Sequence, residues 1–273
     1  RRPPGSTLFP YTTLFRSALK THNPKEFSID VAYSRKFSEK ISGGIAARFI
    51  NSNLAGNVGN QNSHPGRSYA MDVSAYYQDE MNLGGKNSKL GIGLNISNMG
   101  SKLNYTEDRK NFIPINMRLG SALTMELDKY NSLMFTFDLN KLLVPTPPIY
   151  VKDTVTDELV IVSGDDPNVS VPVGMVKSFY DAPGGAKEEL KEISFSTGAE
   201  YWYAKQFAIR LGYFYENEIK GNRKYFTAGL GLKLKVFGLD FSYLIPANNM
   251  NNNPLAETLR FSLLFDLDAI AKN

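Results

Sequence analysis

The sequence predicts an all-β fold: a transmembrane up-and-down antiparallel β-barrel. Apolar and polar residues alternate along successive segments, and the connections between these segments alternate between short and long. Period-two alternation places apolar side chains on one face of a strand and polar side chains on the other. Charges of both signs recur on the polar faces. Such charges are costly in a dry core but remain ionised in a water-filled lumen.

Eleven alternating segments follow one another from Phe27 onward. In the first, Phe27, Ile29, Val31 and Tyr33 alternate with polar or small residues. Most segments are near ten residues long, as in outer-membrane barrels. The predicted strands span residues 27–34, 41–49, 68–78, 90–97, 115–127, 133–140, 193–203, 207–216, 226–236, 239–245 and 257–268.

Short and long connections alternate without exception along these strands. In an up-and-down sheet, successive connections lie at opposite ends, so one end carries tight turns and the other carries loops. This is the plan of outer-membrane barrels, with short periplasmic turns and long extracellular loops. The short connections are 38–40, 84–87, 128–131, 204–206 and 237–238, and the others are 51–66, 100–111, 145–191, 217–222 and 247–254.

A large soluble β-sandwich is the alternative fold, in which the apolar faces would form a core. A sandwich shows the same period. It rarely combines long strands with a strict alternation of short and long connections. Tyr and Phe also recur near strand ends, as the interfacial aromatic girdles of a membrane barrel require.

Strand parity predicts that the barrel has further strands. The first and last predicted strands both run towards the tight-turn end. Single-chain bacterial barrels have an even strand number. We therefore expect an odd number of additional strands, with three giving fourteen and one giving twelve.

The first residues have a different origin in our interpretation. Thr7 to Ser17, "TLFPYTTLFRS", is the translation of a common sequencing adapter. We therefore expect residues 1–17 to be an adapter-derived artefact. Residues 18–273 would be the C-terminal part of an outer-membrane barrel with a long extracellular loop at 145–191.

Composition argues against several other classes. The absence of cysteine excludes disulfides and thiolate metal sites. A net charge of +4, without a basic stripe, argues against nucleic-acid binding. The sequence has no apolar run of about 18 residues, as a transmembrane helix needs.

The sequence offers little for catalysis or metal binding. Of its two histidines, His22 lies beside the adapter junction, and His64 lies in the loop "NVGNQNSHPGR". There is no G-x-S-x-G nucleophile motif. Asp165 and Asp166 are adjacent acids without the spacing of a calcium loop. We predict no catalytic, cofactor or metal residues, and a protein that is not an enzyme.

The connection 145–191 is the best functional candidate, because long loops are usually functional or disordered. Pro145, Pro147 and Pro148 at its start predict an extended arm that projects from the barrel. "DELVIVSG" is typical of a strand, while residues 173–180 and "AKEELKEI" are typical of short helices. Ile149, Tyr150, Phe179 and Tyr180 are predicted partner-binding residues, since aromatic anchors favour protein contact. The alternative is that they pack the loop onto the barrel rim.

Four stretches carry a resemblance to a known family. They are "NPKEFSIDVAYSRKFSEKISGGIAARFINSNLA", "GIGLNISNMGSKLNYTED", "FIPINMRLGSALTMELDKYNSLMFTFDLNKLLVPTPP" and "GAEYWYAKQFAIRLGYFYENEIKGNRKYFTAGLGLKLKVFGLDFSYLIP". The sequence resembles the PorV (LptO) family, outer-membrane proteins of the type IX secretion system of Bacteroidota. The resemblance extends from Asn23 to the C-terminus, and "LNKLLVPTPP" is its most distinctive part.

The resemblance implies a fourteen-stranded barrel in the bacterial outer membrane, similar to the fatty-acid channel FadL. Its implied partners are secreted cargo with a C-terminal signal domain, the secretion translocon, a sortase-like attachment protein, and the lipid bilayer with lipopolysaccharide. No cofactor is implied. Two other roles remain open: transport of hydrophobic compounds, and lipid A O-deacylation. The charged polar faces favour docking over apolar transport.

Overall fold

The computed structural model describes residues 24–53, 64–106, 109–234, 236–247 and 258–265. Residues 1–23, with the predicted artefact 1–17 and His22, lie outside the described residues. None of the helices in the described ranges has the length and apolar character of a membrane span.

Eleven strands form one antiparallel sheet in which neighbours along the chain are neighbours in space, apart from two small inserted hairpins. This confirms the predicted all-β, up-and-down architecture. The strands are β1 (Lys25–Lys36), β2 (Ile41–Asn53), β3 (Gly66–Leu83), β4 (Lys86–Gly100), β5 (Leu103–Thr106), β6 (Arg109–Asn111), β7 (Asn116–Glu126), β8 (Ser132–Leu142), β9 (Ile149–Lys152), β10 (Leu159–Ser163), β11 (Ser194–Tyr203), β12 (Phe207–Tyr215), β13 (Lys224–Lys233), β14 (Phe237–Pro246) and β15 (Leu259–Phe265). The helices are α1 (Val171–Lys177), α2 (Ala186–Lys191) and a 3-10 turn at Glu218–Lys220.

The hairpins β5–β6 and β9–β10 lie outside the main sheet, within long connections. The tightest connection joins β3 to β4 through Gly84 and Gly85 alone, with φ angles of 58° and 78°. Two residues with positive φ match the twist of a hairpin, and glycine adopts them without strain. The predicted alternation of short and long connections is therefore confirmed.

The apolar face of the sheet is exposed along its whole width. Leu119 pairs with Leu94 on one side and with Leu139 on the other, so apolar side chains form rows across neighbouring strands. The exposed apolar residues on this face include Ile29, Val31, Ile45, Tyr69, Met71, Leu119, Phe135, Phe137, Ile209, Leu211, Phe226, Leu230, Phe261 and Leu263. In the described part of the chain no second large sheet exists to cover this face, as a sandwich would require.

The opposite face carries charges that pair across strands, as predicted. Arg48 contacts Asp30 and, at 3.3 Å, Asp72. Arg210 contacts Glu200 and Asp240 at 2.5 Å each. These side chains keep part of their surface accessible, as expected for ions facing water.

The sheet is open in the described residues. β1 pairs only with β2, and β15 pairs only with β14. The number of strands in the complete barrel remains a prediction.

The buried core lies among the long connections. Ile113, Ile115 and Leu143 are buried there, against Ala70 on β3. Phe112 from the β6–β7 connection, with Val171 and Met175 from α1, packs around them. We call the connections 101–106, 109–115 and 143–193 together the crown.

Candidate docking surface

The β8–β11 connection folds as a compact unit on the end of the sheet. α1 begins after Ser170, with Pro172 in its first turn, where a missing backbone N–H has no cost. Gly174 lies on the buried side of α1. A Cβ at this position would be 2.8 Å from the Phe112 ring and 3.1 Å from Pro145. Glycine therefore allows α1 to lie directly on the neighbouring connection.

Glutamates on α2 and directly after it fasten this connection to the sheet. The Lys141 ammonium on β8 donates to Glu189 at 2.9 Å and to Glu192 at 2.8 Å. Lys220, from the β12–β13 connection, donates to Glu188 at 2.7 Å and to Glu192 at 2.8 Å. Three segments that are distant in sequence are thus held together.

Backbone and hydroxyl groups complete this arrangement. The Thr146 hydroxyl donates to Glu192 at 2.8 Å, and the Thr146 amide donates to Asp181 at 3.2 Å. The amide of Ala182 donates to Glu189 at 2.8 Å. The anchor network is defined as Lys141, Thr146, Asp181, Glu188, Glu189, Glu192 and Lys220.

The anchor network is largely removed from water. Lys141 is only 5 % exposed, and Glu189 is 8 % exposed. Burial raises the pKa of Glu192, but hydrogen bonds from Lys141, Lys220 and Thr146 outweigh it and hold the pKa below its usual value. Hydrogen bonds from Lys220 and the Gly184 amide likewise lower the pKa of Glu188. The carboxylates therefore stay ionised and pair with the lysines.

The pKa of Asp181 is shifted in the opposite direction. Burial and the nearby Glu189 and Glu192 raise the pKa of Asp181 above its usual value. Its Oδ1 atom has no hydrogen-bond partner among the described residues. Asp181 is thus the strained member of the network, because a buried acceptor without a partner costs free energy.

The β9–β10 hairpin is tied to the base of the same unit. The Ser163 hydroxyl donates to the Pro183 carbonyl at 3.1 Å. Lys177 on α1 pairs with Asp165, just after β10, at 2.7 Å. Gly164, with a φ of 88°, lets the chain turn closely past Pro148 and Pro183. The C-terminal end of the hairpin is therefore anchored.

The four predicted partner-binding residues are all exposed. Ile149 (53 %) and Tyr150 (46 %) lie on β9, whereas Phe179 (49 %) and Tyr180 (61 %) follow α1. The structure places the two pairs on separate elements of one anchored unit. Their role in partner binding remains a prediction.

The predicted projecting arm is wrong. Thr146 and Pro148 are buried, and Thr146 is held by Asp181 and Glu192. The predicted strand and two helices are confirmed as β10, α1 and α2, although α1 ends before Phe179 and Tyr180.

The residues weighed for chemistry have structural roles where the chain is described. The His64 amide donates to the Tyr105 carbonyl at 3.1 Å. Asp165 pairs with Lys177, and Asp166 accepts from the Asn168 amide at 2.8 Å. In the described ranges no group of His, Asp or Glu side chains is suited to hold a metal.

Sequence reasoning missed the anchor network. The signal that could have revealed it is Lys141, which interrupts the apolar series Leu133, Phe135, Phe137 and Leu139 on β8. A lysine on a lipid-facing row costs about 2–4 kcal/mol near mid-bilayer and less near the interface. It therefore indicates a covering acid, which the glutamate-rich α2 supplies.

Comparison with known proteins adds one family. A family model described as "Type IX secretion system protein PorV" matches residues 12–149, half of the chain. No curated protein matches. Among solved structures, the chain is similar to outer membrane phospholipase A from Escherichia coli, at 9 % identity and a TM-score of 0.34, over 88 % of this chain and 83 % of that chain. A TM-score this low supports no inference. On the family match, the chain belongs to the PorV family, outer-membrane proteins of the type IX secretion system.

Proposed function

We propose that this outer-membrane component of the type IX secretion system docks secreted cargo that carries a C-terminal signal domain. In this proposal it passes that cargo from the translocon to a surface attachment complex that contains a sortase-like protease. The protein acts by binding, without catalysis. The crown faces the cell exterior and provides the contact surface.

The observation that carries the proposal is an exposed apolar surface on a loop that is already anchored. Ile149, Tyr150, Phe179 and Tyr180 expose about half of their surface or more, while the base of their connection is fixed by buried ion pairs. A preorganised surface loses little conformational entropy on binding. Aromatic anchors are the residues that dominate protein interfaces.

Transport of hydrophobic compounds is the second candidate, but the polar face of the sheet offers it little support. Arg48 and Arg210 each bridge two acids across neighbouring strands on that face. An apolar solute would have to pass these ions. Lipid A deacylation lacks a nucleophile arrangement in the described chain, since His64 makes no described hydrogen bond to a carboxylate or serine.

The test replaces both pairs in the full-length protein, as Ile149→Ser with Tyr150→Ser and as Phe179→Ser with Tyr180→Ser. Cargo that co-purifies from the producing cell is then quantified. We expect at least a tenfold loss, since truncating an interface anchor costs about 2 kcal/mol or more. Tyr130→Ser is the matched control, because Tyr130 is 65 % exposed in a short turn at the opposite end. Full retention of cargo by both double variants would overturn the proposal.

A further inference from the structure

A groove lies between the crown and the apolar face of the sheet. The β8–β11 connection folds back over β7 and β8 and leaves an open cavity of about 440 Å³. This volume falls within the range of about 300–1,000 Å³ that ligand pockets occupy. We call this cavity the outer groove. Its floor is Met117, Leu119 and Leu139, and its roof is Phe179, Ala186, Leu190 and Ile193.

The floor of the outer groove belongs to the lipid-facing surface. Leu119 pairs with Leu139, and Leu139 pairs with Phe195, on the face that is exposed across the sheet. Lys141 is the next residue on that face of β8 and also lines the groove. The groove is therefore continuous with the apolar surface that meets the membrane.

The charged residues in the lining are already paired with each other. Lys141 and Glu189 lie 2.9 Å apart, and Lys141 also contacts Glu192. The remaining lining is apolar except for Asn140. An ionic head group would find no free countercharge here, whereas a hydrocarbon chain would match the walls.

The roof exposes apolar groups at the mouth of the groove. Leu190 is 70 % exposed on α2, and Phe179 is about half exposed. Each would be covered by an occupant that enters from the side of the bilayer. Hydrocarbon burial is favourable by about 25 cal/mol per Å².

We propose that the outer groove holds an acyl chain of a lipid from the surrounding bilayer, at the end of the barrel that carries the long connections. The lipid chain stays in contact with the membrane and packs beneath the crown, supporting the roof. The inference rests on the outer-membrane location and not on cargo docking. A free fatty acid and an apolar segment of a partner protein are the competing occupants.

The test reconstitutes the full-length protein in vesicles of a neutral phospholipid, with a trace of the same phospholipid bearing a photoreactive group in one acyl chain. Cross-linked residues are mapped by mass spectrometry. We expect labelling of the roof residues Phe179 and Leu190. We also expect labelling of the exposed lipid-facing surface around Phe135, which we call the belt. Ala186→Phe, which fills the groove, should reduce roof labelling at least fivefold and leave the belt unchanged.

Lys187→Phe is the matched control, because it adds the same ring to the exposed side of α2 and should leave roof labelling intact. Leu190→Asn is a second variant for the case in which Ala186→Phe fails to fold, and it should lower labelling of Phe179. Labelling confined to the belt, or unchanged in both groove variants, would overturn the proposal. Displacement of the lipid label by an added fatty acid, or roof cross-links to a secreted protein in place of lipid, would also contradict it.

Discussion

The sheet and the crown are built on opposite plans. The sheet is one layer whose large apolar side chains are exposed, and its charged residues lie in partly accessible clusters. The crown resembles a small soluble domain, in which Ile113 and Ile115 are buried. Its Glu189 and Glu192 enclose Lys141 at the end of β8. The sheet therefore depends on lipid to cover its apolar surface, whereas the crown buries its apolar side chains against the end of the sheet.

Ion pairs within the sheet are also more exposed than the ion pairs that join the crown to the sheet. The side chains of Arg48 and Arg210 keep 26 % and 32 % of their surface accessible, against 6 % for Lys141. A partly solvated ion keeps some of its hydration when a partner is lost. A buried ion does not, so removing one partner is much more costly.

Lys141→Met should produce the largest effect. It leaves Glu189 and Glu192 buried without their shared cation, and breaking a buried pair typically costs about 3–5 kcal/mol. We expect the β8–β11 connection to become sensitive to protease in the reconstituted protein, while the barrel remains intact. Lys177→Met is the control: its pair with Asp165 is partly exposed and should contribute under about 1 kcal/mol. Equal protection in the two variants would contradict the anchoring role of the network.

Ile115→Ala should have the second largest effect. Ile29→Ala makes the same truncation on the apolar face of the sheet. Ile115 is fully buried, while Ile29 on the apolar face is 60 % exposed. Truncating a buried isoleucine costs about 2–5 kcal/mol, whereas Ile29 faces lipid that refills the space. Hydrogen exchange of the crown should therefore rise strongly for Ile115→Ala alone. A larger effect of Ile29→Ala would mean that the apolar face is a packed core.

Acid should loosen the crown. Glu188 and Glu192 have lowered pKa values in the folded protein. Their stabilisation is complete above the unfolded value of about 4.3 and is lost as the pH falls through the lowered folded values. Asp181 has a raised pKa, so its contribution to the pH dependence of stability has the opposite sign. It is one group, whereas Glu188 and Glu192 are two.

Cleavage of the β8–β11 connection by an acid-active protease should therefore increase below about pH 4.3. Glu192→Gln should flatten this dependence, because it removes the carboxylate with the most partners. An unchanged profile in that variant would show that other groups control the acid response.

Gly85→Ala should have the smallest effect. Gly85 has a φ of 78° in the two-residue turn, and an L-residue there costs roughly 1 kcal/mol. Gly93→Ala is the matched control, since its Cβ would meet Tyr76 at an ordinary 3.8 Å. The midpoint of thermal unfolding in detergent should fall for Gly85→Ala only. The reverse order would mean that close packing within the sheet matters more than the turn.

Local sequence was enough to predict the sheet and the small elements of the crown. The alternation from Leu133 to Leu139 predicts both that the segment is a strand and which of its side chains share a face. The residue types of "DELVIVSG" and "AKEELKEI" are enough to predict a strand and a helix. The anchoring of the crown was beyond such reasoning. Lys141 and Glu189 are 48 positions apart. The residues near Thr146 give no indication that its partner is Glu192, so the prolines there predicted a free arm.

The candidate surface was predicted only in part. Ile149, Tyr150, Phe179 and Tyr180 could be selected because they are apolar or aromatic residues in a long surface connection. Their presentation on two anchored elements depends on tertiary contacts such as Ser163 with Pro183. The outer groove was not predictable, because its floor and roof come from strands and helices that are distant in sequence.

The central claim is that the apolar face of the sheet meets lipid and the charged face meets water. Single cysteines at Phe135, Thr136, Phe137 and Asp138 on β8 serve as reporters in a membrane-embedded full-length protein that has no other cysteine. We predict that a small water-soluble thiol reagent labels positions 136 and 138, while a thiol probe attached to lipid labels 135 and 137. Labelling of 135 and 137 by the water-soluble reagent, with 136 and 138 protected, would contradict the account.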